Sequence, residues 1–179
     1  MRQATAPTIQ PLIETERFDL RPIRRSDTGM IEFYAADPRV AMTTTSIPHP
    51  LPPGLIDAFV RRSLSDQRVE DVWVMDGLKI NSAEVMGLIS LTRLGRDQCE
   101  VGYWVAPAFW NTHLASDAVT ALVAANPLGS SAMFASVFHN NPASAKVLTN
   151  AGFIYLGDAE TYCLARGAAI PTWTYSRKL

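Results

Sequence analysis

Residues Cys99–Ala118, CEVGYWVAPAFWNTHLASDA, constrain the fold of this chain more than any other stretch. Cys99–Val105 alternates like a strand, Pro107 marks its exit, and a short turn leads into a helix that opens on small residues. A strand that feeds a helix N-terminus through a tight turn builds an anion site, because free backbone N–H groups and the helix dipole converge there. In this turn Asn111 and His113 stand where a phosphate-cradling loop usually carries glycine.

The rest of the chain supplies a sheet for that unit. Arg17–Ile23 reads as a first strand through Phe18, Leu20 and Ile23, with Pro22 near an edge or exit. Ser26-Asp27 caps a helix running to about Asp37, with Met30, Ile31, Phe33 and Tyr34 turned toward a core. Val40–Gly54 is proline-rich and aperiodic, hence a long ordered loop or a lid, and helical spacing resumes over Leu55–Leu64 through Leu55, Ala58, Phe59 and Leu64. Strands are expected at Val72–Met75, Glu84–Thr92, Cys99–Val105, Met133–Phe138, Phe153–Leu156 and Thr172–Ser176. Leu114–Ala125 is a helix buried along Leu114, Ala118, Ala121, Leu122 and Ala125. Another helix starts at Asn141-Pro142, a side-chain cap followed by proline, and ends at Gly152, with Phe153 folding back. The fold class is therefore α/β (α+β): one domain over residues 13–179, with a mixed, mostly antiparallel sheet of about seven strands and about four helices. Residues 1–12 read as a loose tail.

Composition narrows the function. With 47% hydrophobic and 18% charged residues and a formal net charge of -1, the chain offers no general electrostatic attraction for nucleic acid or an anionic membrane. The local run Arg17, Arg21, Arg24 and Arg25 reads as a solvated strand edge and turn, or else as a ligand site. Cys99 and Cys163 match no metal spacing, and without a secretory signal they are expected as free thiols of a cytoplasmic protein. No segment has the apolar length needed to span a bilayer.

Four segments resemble the GNAT superfamily of N-acetyltransferases, and within it the RimJ/RimL-type branch. They are ETERFDLRPI (Glu14–Ile23), EVGYWVAPAFW (Glu100–Trp110), LASDAVTALV (Leu114–Val123) and FASVFHNNPASAKVLTNAGFIYLG (Phe134–Gly157). They occur in the family's order and at nearly its spacing. The resemblance implies the GNAT fold, acetyl-coenzyme A as cosubstrate, and a primary amine of a protein N-terminus or small molecule as acceptor. It also implies a strand that splays from its neighbour to admit the pantetheine arm. The end of that strand, Trp104 and Val105, would hold the arm, and Asn111, Thr112, His113, Leu114, Ala115 and Ser116 the pyrophosphate. Asn141 would contact the pantetheine besides capping its helix. The family's loop pattern, Gln/Arg-x-x-Gly-x-Gly/Ala, falls on Trp110–Ala115; Ala115 fits, and Asn111 and His113 replace glycines. Asparagine and histidine are the non-glycine residues that tolerate positive φ best, and His113 either adds a phosphate donor or fills the site.

Acetyl transfer to an amine requires loss of the ammonium proton, a donor for the oxyanion and stabilisation of the departing thiolate. Alternation puts Glu100 on one strand face with Gly102 and Trp104, beside the expected cleft. Two readings stand for Glu100: a general base, direct or through water, or a half-buried carboxylate paired with an arginine. The resemblance makes Ser144 a proton donor to the thiolate; as a bare sequence feature it is an ordinary first-turn serine. The tyrosine that many family members place on this helix is absent, since Leu148 stands four before Gly152. His139 is a second-choice acid or base at a strand end, or a plain loop histidine, and no histidine has metal spacing. Trp73, Trp104 and Trp110 read as core or cleft wall, and Met42–Pro53 as the acceptor side. The rival readings are a non-catalytic module that has lost its cofactor loop, and an acyltransferase using another acyl-thioester. Monomer and homodimer both remain open.

Overall fold

The computed structural model describes residues 9–179. Its strands are β1 (Ile13–Glu14), β2 (Asp19–Pro22), β3 (Glu70–Asp76), β4 (Gly87–Gly95), β5 (Gln98–Val105), β6 (Ala132–Phe138), β7 (Ile154–Cys163) and β8 (Ala168–Lys178). Its helices are α1 (Thr28–Ala35), α2 (Pro38–Ala41), α3 (Leu55–Ser63), α4 (Leu114–Ala125) and α5 (Pro142–Asn150). The strands form one sheet in the order β1-β2-β3-β4-β5-β6-β8-β7. All described pairs are antiparallel except β5 with β6.

The expected α/β class holds, with one more strand and one more helix than the sequence suggests. The added strand, β1, spans only two residues, too few for an alternation to register. The added helix, α2, occupies the start of the expected loop, where Asp37 caps it by accepting from the Arg39 N–H at 2.9 Å and proline takes the first helical position. The expected tail falls largely outside the described residues; within them, Gln10 donates to the Val72 carbonyl and Pro11 accepts from the Trp73 indole.

Helices cover both faces of the sheet. On one face α4 and α5 pack Leu114, Ala118, Leu122 and Leu148 against Trp73, Ile89, Val101 and Met133. On the other, Ile31 and Ala35 of α1 and Ile56 and Val60 of α3 cover Val72, Val74 and Leu88. The apolar stripe of α1 is narrower than its sequence implies: Ile31 is buried, whereas Met30 and Phe33 are 43% and 71% exposed. α3 and α4 depart in the same way. Ile56 and Val60 bury where Leu55 and Leu64 do not, and Val119 replaces Ala125 in the buried stripe of α4.

Helix α5 has both expected ends. Asn141 Oδ1 accepts from the Ser144 N–H at 3.2 Å. At the other end the Phe153 and Gly152 N–H groups donate to the Leu148 and Thr149 carbonyls, each at 3.0 Å. Gly152 sits at φ 83°, so the helix ends in a Schellman motif that turns the chain into β7.

The arginine run divides. Arg21 is only 3% exposed, contacting Asp76 at 2.6 Å and Asp27 through two bonds at 2.8 and 2.9 Å. It is thus a buried ion network that ties the start of α1 to the sheet, neither a solvated edge nor a ligand site.

Candidate active site

Strands β5 and β6 pair only over Gln98–Glu100 with Ala132–Phe134. Beyond Glu100 the strands separate, while β5 stays paired to β4 up to Val105. The gap opens into a cavity of about 1080 Å³. The expected catalytic pair Glu100 and Ser144 and all the residues expected to hold the cofactor line this cavity, the latter being Trp104, Val105, Asn111, Thr112, His113, Leu114, Ala115, Ser116 and Asn141.

Strand parity explains how the gap is lined. The Ala106 N–H donates to the Met86 carbonyl at 2.9 Å. In this antiparallel ladder the even-numbered residues of β5 therefore bond to β4, and Tyr103 and Val105 aim their backbone groups at the gap. Trp104 accordingly offers its ring, which packs edge-on against Tyr34 at 6.3 Å, while Val105 offers the strand edge. The Val105 carbonyl also accepts from the Trp110 indole N–H at 2.7 Å, which anchors that half-exposed ring beside the turn. Gly87 lies opposite, where an added Cβ would collide with the Trp104 carbonyl.

The turn before α4 keeps the geometry that glycines would provide. Asn111 and His113 adopt φ 61° and 64°, both left-handed. His113 is the N-cap residue, and the first bond of the helix runs from the Asp117 N–H to the His113 carbonyl at 3.0 Å. The amides of Leu114, Ala115 and Ser116 precede that bond, so they lack intrahelical partners and face the cavity's turn. Arg17 braces the loop from outside: its guanidinium donates to the Thr112 carbonyl at 2.8 Å and pairs with Asp117 at 2.7 Å.

Glu100 and Ser144 lie on opposite sheet faces, and the gap between β5 and β6 brings them into one cavity. Glu100 shares its face with Gly102 and Trp104, with Ser90 and Thr92 on the neighbouring strand. Among the described residues no ion pair engages Glu100, which removes the reading that pairs it with an arginine. Burial alone pushes its carboxyl above the usual range. On the other face the Ser144 hydroxyl lies 2.7 Å from the Tyr103 hydroxyl. Alternation puts Tyr103 on the strand face opposite Glu100, and the sequence alone gives it no role. The available signal was a phenol on an apolar face, since a buried hydroxyl requires a partner.

The cavity wall beside the expected acceptor segment is built jointly. Thr43–Ile47 line it, together with Phe59 and Arg62 of α3, whereas Met42 and residues 48–53 of the expected segment do not. Arg166, between β7 and β8, also lines it and was not anticipated; it donates to the Met42 carbonyl at 2.7 and 3.0 Å and stacks over Phe138 at 5.2 Å. His139, the second-choice acid or base, does not line this cavity: it stacks on Trp173 at 4.7 Å and faces Asp158 at 3.5 Å.

Residues 17–154 match the acetyltransferase (GNAT) domain family. The chain belongs to that family. It is 26% identical over 175 residues to the uncharacterized N-acetyltransferase YoaA of Bacillus subtilis (strain 168), covering 93% of this chain and 96% of that protein. Its fold is similar to RimL, the ribosomal L7/L12 alpha-N-protein acetyltransferase, solved with coenzyme A. That match has a TM-score of 0.81 and 16% identity over 94% of this chain and 98% of RimL. The microcin C7 self-immunity acetyltransferase MccE, solved with acetyl-CoA and AMP, matches with a TM-score of 0.78 and 12% identity, covering 92% and 94% of the two chains. The RimJ/RimL-like reading of the motifs thus agrees with the fold, and the chain's GNAT membership does not depend on glycines in the turn.

Proposed function

We propose that this acetyltransferase moves the acetyl group of acetyl-coenzyme A directly to a primary amine, of a protein N-terminus or a small molecule, within a ternary complex. The observation that carries the reading is one continuous cavity joining three elements: the strand edge at Val105, the left-handed turn at Asn111 and His113, and the unpaired carboxylate of Glu100. The amides of residues 113–116 suit the pyrophosphate, because the helix dipole and unpartnered N–H groups coincide there. Val105 suits the pantetheine amides, its N–H lying in the gap at the end of the β4–β5 ladder. Glu100 takes the acceptor's proton, directly or through water, from the opposite face of the sheet. A carboxyl raised by burial is better matched to that task than an ordinary glutamate. Ser144 supplies a hydrogen bond to the departing sulfur from the α5 side.

The retained turn geometry favours this reading over a module that has lost its cofactor loop. Calorimetric titration of acetyl-coenzyme A and coenzyme A into the wild type and an Asn111→Gly/His113→Gly variant tests the choice. Both proteins are expected to bind, and ligand at a hundred times its Kd is expected to stabilise the wild type by about 2.7 kcal/mol, or about 5–10 °C in Tm. Binding that appears only in the double variant would mean that the natural loop excludes the cosubstrate.

A further inference from the structure

We infer that Tyr103 is a positioning residue for thioester cleavage, holding the Ser144 hydroxyl so that its proton points into the gap where sulfur departs. The inference rests on the acetyltransferase reading and assigns a task that the reading leaves open: what keeps a freely rotating serine hydroxyl aimed at a transient anion.

The geometry restricts where the protons lie. Tyr103 Oη is 2.7 Å from Ser144 Oγ and 3.2 Å from the Ser144 carbonyl oxygen. A carbonyl only accepts, so the single phenolic proton has two acceptors on one residue. When the phenol donates to the carbonyl, Ser144 donates its own proton back to Tyr103 and is turned away from the cavity. When the phenol donates to Ser144 Oγ, the serine proton is released toward the gap. Negative charge on sulfur in the gap selects the second arrangement, and a hydroxyl that accepts one hydrogen bond is a better donor in the next.

Rigid elements hold both partners. Tyr103 belongs to the part of β5 that remains paired to β4 after β6 has separated. Ser144 sits in the first turn of α5, where its own N–H is fixed by the Asn141 side chain at 3.2 Å. The phenol therefore bridges the two walls of the gap. Burial pushes its pKa up to about 12 against a smaller opposing effect of the bond to Ser144, so it remains a donor across the range in which amines are acetylated. A phenylalanine would fill the same space, and only the hydroxyl distinguishes positioning from propping.

The chemistry balances without consuming either hydroxyl. The amine nitrogen bonds to the thioester carbonyl carbon, the carbon–sulfur bond breaks, and its electron pair stays on sulfur. The resulting thiolate is stabilised by the hydrogen bond from Ser144, while the amine's proton leaves on the Glu100 side.

The test compares Tyr103→Phe, Ser144→Ala and the double variant by steady-state kinetics, calorimetry with coenzyme A, and ultraviolet titration of the bound coenzyme A thiol. Tyr103→Phe is expected to lower kcat about tenfold, with KM for acetyl-coenzyme A and Kd for coenzyme A within about twofold of wild type. The double variant is expected to be no slower than Ser144→Ala, because the phenol acts through the serine. The bound thiol is expected to titrate about one pH unit higher in Tyr103→Phe than in wild type, the counterpart of a tenfold loss. An unchanged kcat with an unchanged thiol titration, or losses that multiply in the double variant, would overturn the inference while leaving the acetyltransferase reading intact. A wild type that binds no coenzyme A would overturn both.

Discussion

At the scale of single residues, the turn before α4 shows side chains accepting a conformation usually left to glycine. The left-handed region costs an ordinary L-residue about 1–2 kcal/mol, and asparagine and histidine are among the residues enriched there. The sequence could identify the substitutions at Asn111 and His113, but whether the backbone still turned required φ angles, which are 61° and 64°. Glu100 poses a similar question. Its position beside the cleft follows from alternation alone, whereas its lack of an ion-pair partner depends on which cations the fold brings near. Because burial raises its folded-state pKa above the unfolded value, the protonated form is the better tolerated in the folded protein. Its stability contribution is therefore fully present below the unfolded pKa and is lost as pH rises through the raised folded value. Glu100→Gln should raise Tm at neutral pH, with the gain vanishing below about pH 4, near the unfolded pKa. In acetylation assays the same variant should lose the limb of the pH–rate profile on which activity rises as the base ionises. Thermal melts and rate profiles across pH check both outcomes.

Elements were read most reliably where local chemistry fixes them. The Asn141-Pro142 start and Gly152 end of α5 were legible because capping uses nearby atoms. The inward stripe of α1 was not, since Met30, Ile31, Phe33 and Tyr34 span more of the helix than one contact covers, and the sheet selects Ile31 and Ala35. The turn before α4 is likewise an element supported from elsewhere: Arg17, just before β2, reaches Thr112 and Asp117 across about ninety-five residues or more of chain. That pair is partly exposed, so its removal should matter more for loop order than for global stability. Arg17→Ala is expected to weaken coenzyme A binding about two- to fivefold by calorimetry, with little change in Tm.

Over the whole molecule, the site exists because one sheet opens without coming apart. β5 remains paired to β4 and β6 to β8 while β5 and β6 separate, so a passage through the sheet joins a carboxylate on one face to a hydroxyl on the other. The cavity wall at residues 43–47 is fastened in the same non-local way. Arg166 secures the Met42 carbonyl, and the Leu164 N–H donates to the Thr45 carbonyl at 3.2 Å, fastening the β7–β8 connection to residues 42–45. Arg166→Ala should raise KM for the amine about tenfold while leaving KM for acetyl-coenzyme A unchanged, because charge-assisted bonds to that segment are lost and the cofactor turn is untouched. Initial-rate measurements with each substrate varied separately check this. The amino-acid order by itself determined the strand and helix series apart from β1 and α2, the capped ends of α5, the family motifs and the tight turn before α4, because periodicity and capping act over a few residues. Only the tertiary structure decided that β5 and β6 part after Glu100, that Tyr103 meets Ser144, and that Arg166 joins residues 43–47 in lining the cavity. Those contacts join positions far apart in the chain, where no local period or spacing records which partner packing will supply.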